Sequence, residues 1–367
     1  MKKSSIFCFK SFNDIDHIAP LLWFSVKNGD KAIVFWFGKK DIQDFPILNR
    51  LIITYDIPFY CIASTNKIEK YLKWNFISFY WFLCRNKVQR IIFDWFTPRF
   101  MEIKGQLFLA ALFKRIKTYA LPHGYFIYTN NQFNEKTRRE KNIKSFRKRN
   151  RINVYYLNNA IQRDIFIKKG LNKEICRING NMRFSKLWHD QLMKYHFNET
   201  KEKTKIIFFT PHWSYNVNKE KTLSLINKLI KKYSPNDFKI SLHTRGSGNL
   251  EYNKYKEYLL SRNTLSGQSI RNNDLIICFG SSIIFEGILQ NKVIINPAYL
   301  HSNQTIYDHY EILNRTMNEN QTIDKVDEML QKLKEDRKAV YNDILQKHVY
   351  INKQPISFFY DQIFKEN

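Results

Sequence analysis

The stretch "GSSIIFE" (280–286) places two hydroxyls and a carboxylate among otherwise apolar residues. Gly280 admits close approach by a backbone or a ligand. Ser281 and Ser282 stand where a helix carrying "IIFEGILQ" would begin. Helix starts leave backbone N–H groups unpaired and point a positive dipole end outward. The serines there act as a cap or, with those N–H groups, as a seat for phosphate. Glu286 falls four residues after Ser282 on the same predicted face. It is placed either to accept hydrogen bonds from a ribose or to stand in solvent.

The histidines extend this chemistry. In "LPHGYF" (121–126), His123 precedes Gly124, which permits a sharp turn. A neutral imidazole there can take the proton of an attacking hydroxyl; the alternative is a structural histidine bonded to a loop carbonyl. Asp94 in "DWFTP" is a rival base, although Asp-Trp-Phe suits a packed turn equally well. "LHTRG" (242–246) sets His243 and Arg245 two residues apart. A guanidinium grips phosphate oxygens with two parallel bonds, and the imidazole adds a donor. "TPHWS" (210–214) supplies His212 at the equivalent place one strand earlier.

These groups need a scaffold that brings strand ends together. Short β-branched and aromatic runs predict strands at 4–9, 32–37, 59–63, 90–96, 118–122 and 154–158. After a polar stretch at 197–205, strands are predicted at 206–211, 238–243, 274–280 and 292–297. Helical patterns lie between them, at 65–85, 105–117, 219–233, 251–261 and 282–290, with one long polar helix at 322–350. Strand–helix alternation of this kind gives parallel sheets covered on both faces. The expected fold class is α/β, with two doubly wound domains facing a cleft. The expected boundaries are 1–196, 205–320 and a helical segment 321–367 that packs back on the first domain. In such sheets ligands bind beyond the carboxyl ends of the strands: Asp94 ends "RIIFD", His123 follows "TYALP", His212 follows "IIFFTP", His243 and Arg245 follow "FKISL", and Ser281 and Ser282 follow "DLIICFG".

Composition narrows the partners. The 367-residue chain carries a formal charge of +27, which attracts polyanions such as nucleic acid, anionic headgroups or nucleotide and phosphate substrates. Abundant Lys, Asn, Ile, Phe and Tyr also fit an AT-rich genome. Nine Lys or Arg against two Glu crowd "EKTRREKNIKSFRKRNR" (135–151). This run reads as a solvated loop, as a dock for an anionic membrane surface, or as a hold on a polyanionic acceptor. Phe146 is its only aromatic, so the stacking residues of a single-strand nucleic-acid surface are missing and no nucleic-acid partner is expected. Five cysteines stand singly in apolar stretches and read as buried thiols of a reducing compartment. Lys10 breaks the first apolar run, so no signal peptide is expected. "WNFISFYWFLC" (74–84), bounded by Lys73 and Arg85, is too short to span a bilayer. A cytoplasmic location follows, with peripheral membrane contact left open.

"LPHGYF", "TPHW", "LHTR", "NDLIICFGSSIIFEGILQNKVIIN" and "INGNMRFSKLW" together resemble the two-domain, Rossmann-like GT-B glycosyltransferases of bacterial surface-carbohydrate and capsule biosynthesis. They are also similar to the CDP-glycerol glycerophosphotransferases of teichoic acid synthesis. The resemblance covers about residues 90–300, and its most specific part is the strand–Ser-Ser–helix block. It implies a transfer of sugar from a nucleotide-sugar donor to a glycan or lipid-linked acceptor of the capsule, lipopolysaccharide or lipooligosaccharide kind. His123 would then be the acceptor-activating base. His243, Arg245, Ser281 and Ser282 would grip donor phosphates, with Gly280 and His212 beside them and Glu286 near the ribose. The chain has "PHG" where the polyol-phosphate enzymes show "WHG", "HTR" where they often show "HP", and His212 where they carry a threonine. These departures favour a sugar donor over CDP-glycerol, which stays as an alternative together with a UDP-sugar epimerase of the same fold. No DxD pair stands in a suitable loop, so no metal or other cofactor is expected and protein donors must neutralise the leaving group.

Overall fold

The computed structural model describes residues 4–62, 72–122, 124–129, 145–195, 204–213, 216–243, 252–260, 266–350 and 354–365. It forms two compact units. As far as described, the first comprises 4–125, 145–188 and 348–365, and the second comprises 126–129 and 189–347. His123, Arg245 and residues 135–144 of the basic run lie outside the described residues.

In the first unit the strands are β1 (Ser4–Phe9), β2 (Lys31–Trp36), β3 (Phe59–Cys61), β4 (Val88–Asp94), β5 (Lys117–Leu121), β6 (Val154–Leu157) and β7 (Cys176–Ile178). All pair in parallel, in the order β3-β2-β1-β4-β5-β6-β7. β1 is buried along its whole length, as a central strand covered on both faces must be. Ile6 lies opposite Ile33 on one side and Ile91 on the other. Helices α1 (Phe12–Lys27), α2 (Pro46–Thr54), α3 (Phe76–Arg85), α4 (Ile103–Phe113) and α5 (Ala160–Lys168) intervene, and after β7 the chain passes from the first unit to the second within α6 (Lys186–Lys194). α3 begins with a reciprocal capping box in which Asn75 accepts from Ser78 N and Ser78 Oγ accepts from Asn75 N. Strand β7 escaped the sequence reading because the exposed Arg177 in its middle leaves no apolar run.

The second unit holds β8 (Ile206–Phe209), α7 (Lys219–Lys232), β9 (Phe238–Ser241), α8 (Tyr252–Tyr255), α9 (Ser266–Arg271), β10 (Leu275–Ile277), α10 (Ile284–Leu289), β11 (Val293–Pro297), β12 (Arg315–Thr316), α11 (Glu319–Gln331) and α12 (Lys338–Leu345). Its strands run parallel in the order β12-β11-β10-β8-β9. Strand order reverses between β1 and β4 in the first sheet and between β8 and β10 in the second. These are the two switch points at which doubly wound sheets take ligands.

The helix expected over 322–350 is two helices. Arg337 interrupts it: the guanidinium is buried and donates to the carbonyls of Lys332 and Glu335, each at 2.7 Å, and to Leu333 O at 3.4 Å. It thereby ties together the carbonyls of the turn that follows α11. α12 belongs to the second unit, where Tyr341 Oη donates to Lys292 O at 2.8 Å. The return to the first unit therefore comes at 348 rather than 321. There α13 (Pro355–Tyr360) packs on α1 through Phe24 and Tyr360, and Tyr360 Oη donates to Asp30.

The cysteines divide. Cys8, Cys176 and Cys278 are buried, but Cys84 is half-buried and Cys61 is exposed on the edge strand β3. Burial pushes the Cys8 thiol up to about 12, so it stays protonated at neutral pH. Among the described residues no helix is long and apolar enough to cross a membrane, and no His, Cys, Asp and Glu group could hold a metal ion.

Candidate functional site

The carboxyl edge of the second sheet gathers polar groups from four neighbouring strands. At the ends of β8 and β9, Thr210 is buried and works as a clamp. Its N–H donates to Ser241 O at 3.0 Å, while its hydroxyl accepts from His243 N at 2.9 Å. The clamp fixes the spacing of the two chains just before the histidines. The His212 and His243 rings consequently meet edge to face, 5.3 Å apart and at 89°. Both are half-buried, open enough to meet a ligand.

Beyond β10 the chain turns at Gly280, whose φ of +56° is left-handed. A Cβ there would stand 2.7 Å from Cδ2 of His301, so glycine is required both by conformation and by close approach. Two tyrosines hold the turn from behind. Tyr128 Oη donates to Gly280 O and Tyr307 Oη to Ser281 O, both at 3.2 Å. The Ser281 hydroxyl accepts from Ile283 N at 3.4 Å. This local turn delays the helix, which starts at Ile284 and not at 282 as its sequence pattern predicts. Ser281 and Ser282 thus sit half-buried on a turn at the sheet edge, ahead of a helix of six residues.

Glu286 is buried rather than solvated, with only 6% of its surface exposed. It accepts a hydrogen bond from Ser266 Oγ at 2.6 Å. Its charge also reaches Cys278. Burial raises that thiol strongly, the Ser281 hydroxyl opposes the rise, and Glu286 adds to it. A carboxylate held here offers a fixed acceptor one helical turn behind the serines.

Sequence reasoning missed His301. It lies four residues past β11, so the strand-end rule that selected the other histidines also covers it. Its Nδ1 accepts from Asn303 N at 2.9 Å. Tyr128 stacks on the ring at 5.3 Å and 14°. Tyr128 itself comes from the segment 126–129, which pairs antiparallel with 304–306. No local pattern could have revealed that pairing, because the bridged residues Tyr128 and Thr305 stand far apart in the sequence.

In the first unit the loop after β5 is held at Gly124, next to His123. Gly124 takes φ +68° with open space around it. Its N–H donates to Nε2 of the buried His17 at 2.8 Å, and its carbonyl accepts from Asn158 Nδ2 at 2.6 Å. An accepting Nε2 means that neutral His17 carries its proton on Nδ1. Asn181 in turn donates to Asn158 Oδ1 at 2.9 Å. The "INGNMRF" block therefore supports the loop, and Arg183 of that block pairs with Asp16 of α1 at 3.0 Å. Neither His17 nor Asn158 carried a sequence signal, since both fall within ordinary element patterns.

Asp94 ends β4 opposite Leu121 and is buried. Its charge bears on Tyr155, a phenol raised first by burial, lowered by Arg149 and raised again by Asp94. These are the surroundings of a packed turn. Arg149 comes from the basic run, yet it is buried against the rings of Phe146, Trp95, Tyr155 and Phe166 and donates to Thr97 Oγ1 at 2.9 Å. Phe146 and Arg149 of that run are therefore folded core, while its other described cations, Arg147, Lys148 and Arg151, are exposed.

No family model matches the chain, and no curated protein matches it. Solved structures do. A glycosyltransferase from Rickettsia africae aligns over 100% of both chains with a TM-score of 0.60 at 11% identity. UDP-GlcNAc 2-epimerase from Neisseria meningitidis, bound to UDP-GlcNAc, aligns over 99% of this chain and 100% of its own, with a TM-score of 0.55 at 14% identity. The wall teichoic acid polymerase TagF aligns over 99% of this chain and 89% of its own, with a TM-score of 0.58 at 13% identity. The two parallel, doubly wound sheets are thus the pair of Rossmann-like units that make up the GT-B fold.

Proposed function

We propose that the chain is a nucleotide-sugar enzyme of the GT-B fold, a glycosyltransferase that moves a sugar from its donor to a surface-polysaccharide acceptor. One observation carries this reading. Around the switch point between β8 and β10, two imidazoles 5.3 Å apart and a glycine turn with two hydroxyls share one sheet edge, and the helix that follows the turn carries a buried carboxyl. That set suits a nucleoside diphosphate, with donors for phosphate oxygens and a fixed acceptor for ribose hydroxyls.

In this mechanism His212, His243, Arg245 and the Gly280–Ser282 turn stabilise the charge that develops on the departing phosphate. Each well-aimed donor of this sort is worth roughly 2.7–4 kcal/mol of barrier. His123 takes the acceptor's proton, for a gain of roughly 10²–10⁴-fold, while His17 and Asn158 keep its neighbouring peptide in place. Asp94 is the reserve candidate for that base. The acceptor is a glycan or lipid-linked glycan, and the protein works at the inner face of the cell membrane.

The likeness to UDP-GlcNAc 2-epimerase supports a second reading, in which a UDP-sugar is epimerised without an acceptor. The likeness to TagF supports a third, transfer of a polyol phosphate from CDP-glycerol. Thermal shifts with UDP-, GDP- and CMP-sugars and with CDP-glycerol separate the donors. Stabilisation of about 2.7 kcal/mol is expected at a hundredfold excess over Kd. Release of free nucleotide only when an acceptor is added supports transfer. Conversion of a UDP-sugar in its absence would replace that reading with epimerisation.

A further inference from the structure

We propose that the outer face of α3, with the end of α4, docks on an anionic lipid surface. α3 turns Phe79 and Leu83 into the core. Two positions earlier in each case, about 200° around the helix, stand Ile77 and Trp81, exposed to 65% and 68%. Leu72, just before the helix, is exposed to 75%, and Phe113, the last residue of α4, to 69%. Phe113 meets Phe76 edge to face at 5.2 Å, and Lys114 Nζ lies 5.2 Å from the Tyr80 ring. The two helices therefore present one surface. A solvated helix would place polar side chains at 77 and 81; this one is apolar on the side turned away from its core as well.

The charge around the patch selects the partner. Stretches 72–93 and 103–122 contain no Asp or Glu. Their exposed charges are Lys73, Arg85, Lys87, Lys114, Arg115 and Lys117, all positive. Tryptophan and aliphatic side chains bordered by cations are what an interface of acyl chains and anionic headgroups accommodates. The same cations would repel a second copy of the chain brought against the patch. This surface is built from elements outside the basic run 135–151 and does not depend on the chemistry assigned to the second sheet.

The full chain is sedimented with vesicles of phosphatidylcholine, with and without phosphatidylglycerol. Binding should require the anionic lipid and weaken with salt. The double variant Ile77→Ser, Trp81→Ser should bind at least about tenfold more weakly, and Lys114→Gln with Arg115→Gln should lose roughly fivefold per charge removed. Trp81→Phe should still bind but lose part of the fluorescence quenching caused by brominated lipid. Met101→Ser removes an exposed apolar residue at the other end of α4 and should bind like the parent. An unchanged melting temperature in each variant keeps these comparisons free of misfolding. Parent-like binding by the double variant would overturn the proposal. So would indifference to phosphatidylglycerol, complete loss of binding on neutralising 135–151 alone, or a lipid-free dimer that Trp81→Ser dissolves.

Discussion

Gly280 and Gly124 both have positive φ, at +56° and +68°, but their surroundings separate what a methyl group would do. At Gly124 a Cβ finds nothing within 4 Å, so alanine there costs only the backbone penalty, about 1–2 kcal/mol. At Gly280 the same methyl adds a clash with the His301 ring, 2.7 Å away. Gly280→Ala should therefore cost about 1–3 kcal/mol beyond its counterpart and should also displace Ser281 and Ser282. Chemical denaturation checks the first effect. Loss of nucleotide-induced stabilisation, with Gly124→Ala retaining it, checks the second. Equal stabilities for the two variants would show that His301 moves aside without consequence.

At the scale of elements, the seam between α7 and α11 gives the second unit a testable response to acid. Lys228 pairs with Glu319 and Lys232 with Asp327, and Tyr233 Oη donates to Asp327 at 2.7 Å. Burial alone would raise both carboxyls. The hydrogen bonds from Lys228 and Ser224, and from Lys232 and Tyr233, outweigh it and hold them below their ordinary range. Next to them Lys325 and Lys332 hold Glu328 at about 2. Groups with depressed values contribute stability that is complete above the unfolded pKa, near 4, and is lost as pH falls through the lowered folded value. Asp327→Asn should lower the melting temperature at pH 7, and the gap to the parent should close as pH falls from about 5 to about 2. A gap that stays constant would remove the seam from the acid response. The break between α11 and α12 makes a separate prediction. Arg337→Ala removes a buried donor that binds three carbonyls of this turn and should cost about 1.5–3 kcal/mol by urea unfolding, more than a surface arginine would.

At the scale of the whole molecule, the proposed reaction divides between the two units, with the base on the loop after β5 and the donor groups on the second sheet. The division gives a sharp expectation for His123→Ala. Transfer should fall by roughly 10²–10⁴-fold, while stabilisation by the nucleotide sugar remains at the parent value. His243→Ala should do the reverse to binding and reduce that stabilisation. A loss of donor stabilisation in His123→Ala would place this imidazole among the donor ligands, and unaltered turnover would leave Asp94 as the base to test. His17→Ala offers a control on position, because it frees the Gly124 peptide without removing any proposed reacting group.

What the sequence determined by itself is the alternation of elements and the positions of polar residues at strand ends. Both are local: a buried parallel strand must be a short apolar run, and the first residues after it are the first able to be polar. Hence His212, His243, Ser281, Ser282 and ten of the twelve strands were legible, whereas β7 is broken by the exposed Arg177 and the two-residue β12 is too short to form an apolar run. Tertiary structure decided which of those ends adjoin. The order β12-β11-β10-β8-β9 brings His212 beside His243, and the same sheet edge sets His301 against Gly280. It also decided that Tyr128 belongs to the second unit, that Glu286 is buried on Ser266, and that Arg149 of a basic run is core. Each of these rests on contacts between residues far apart in the chain, whose free energy depends on burial and pairing that no window of neighbouring residues contains.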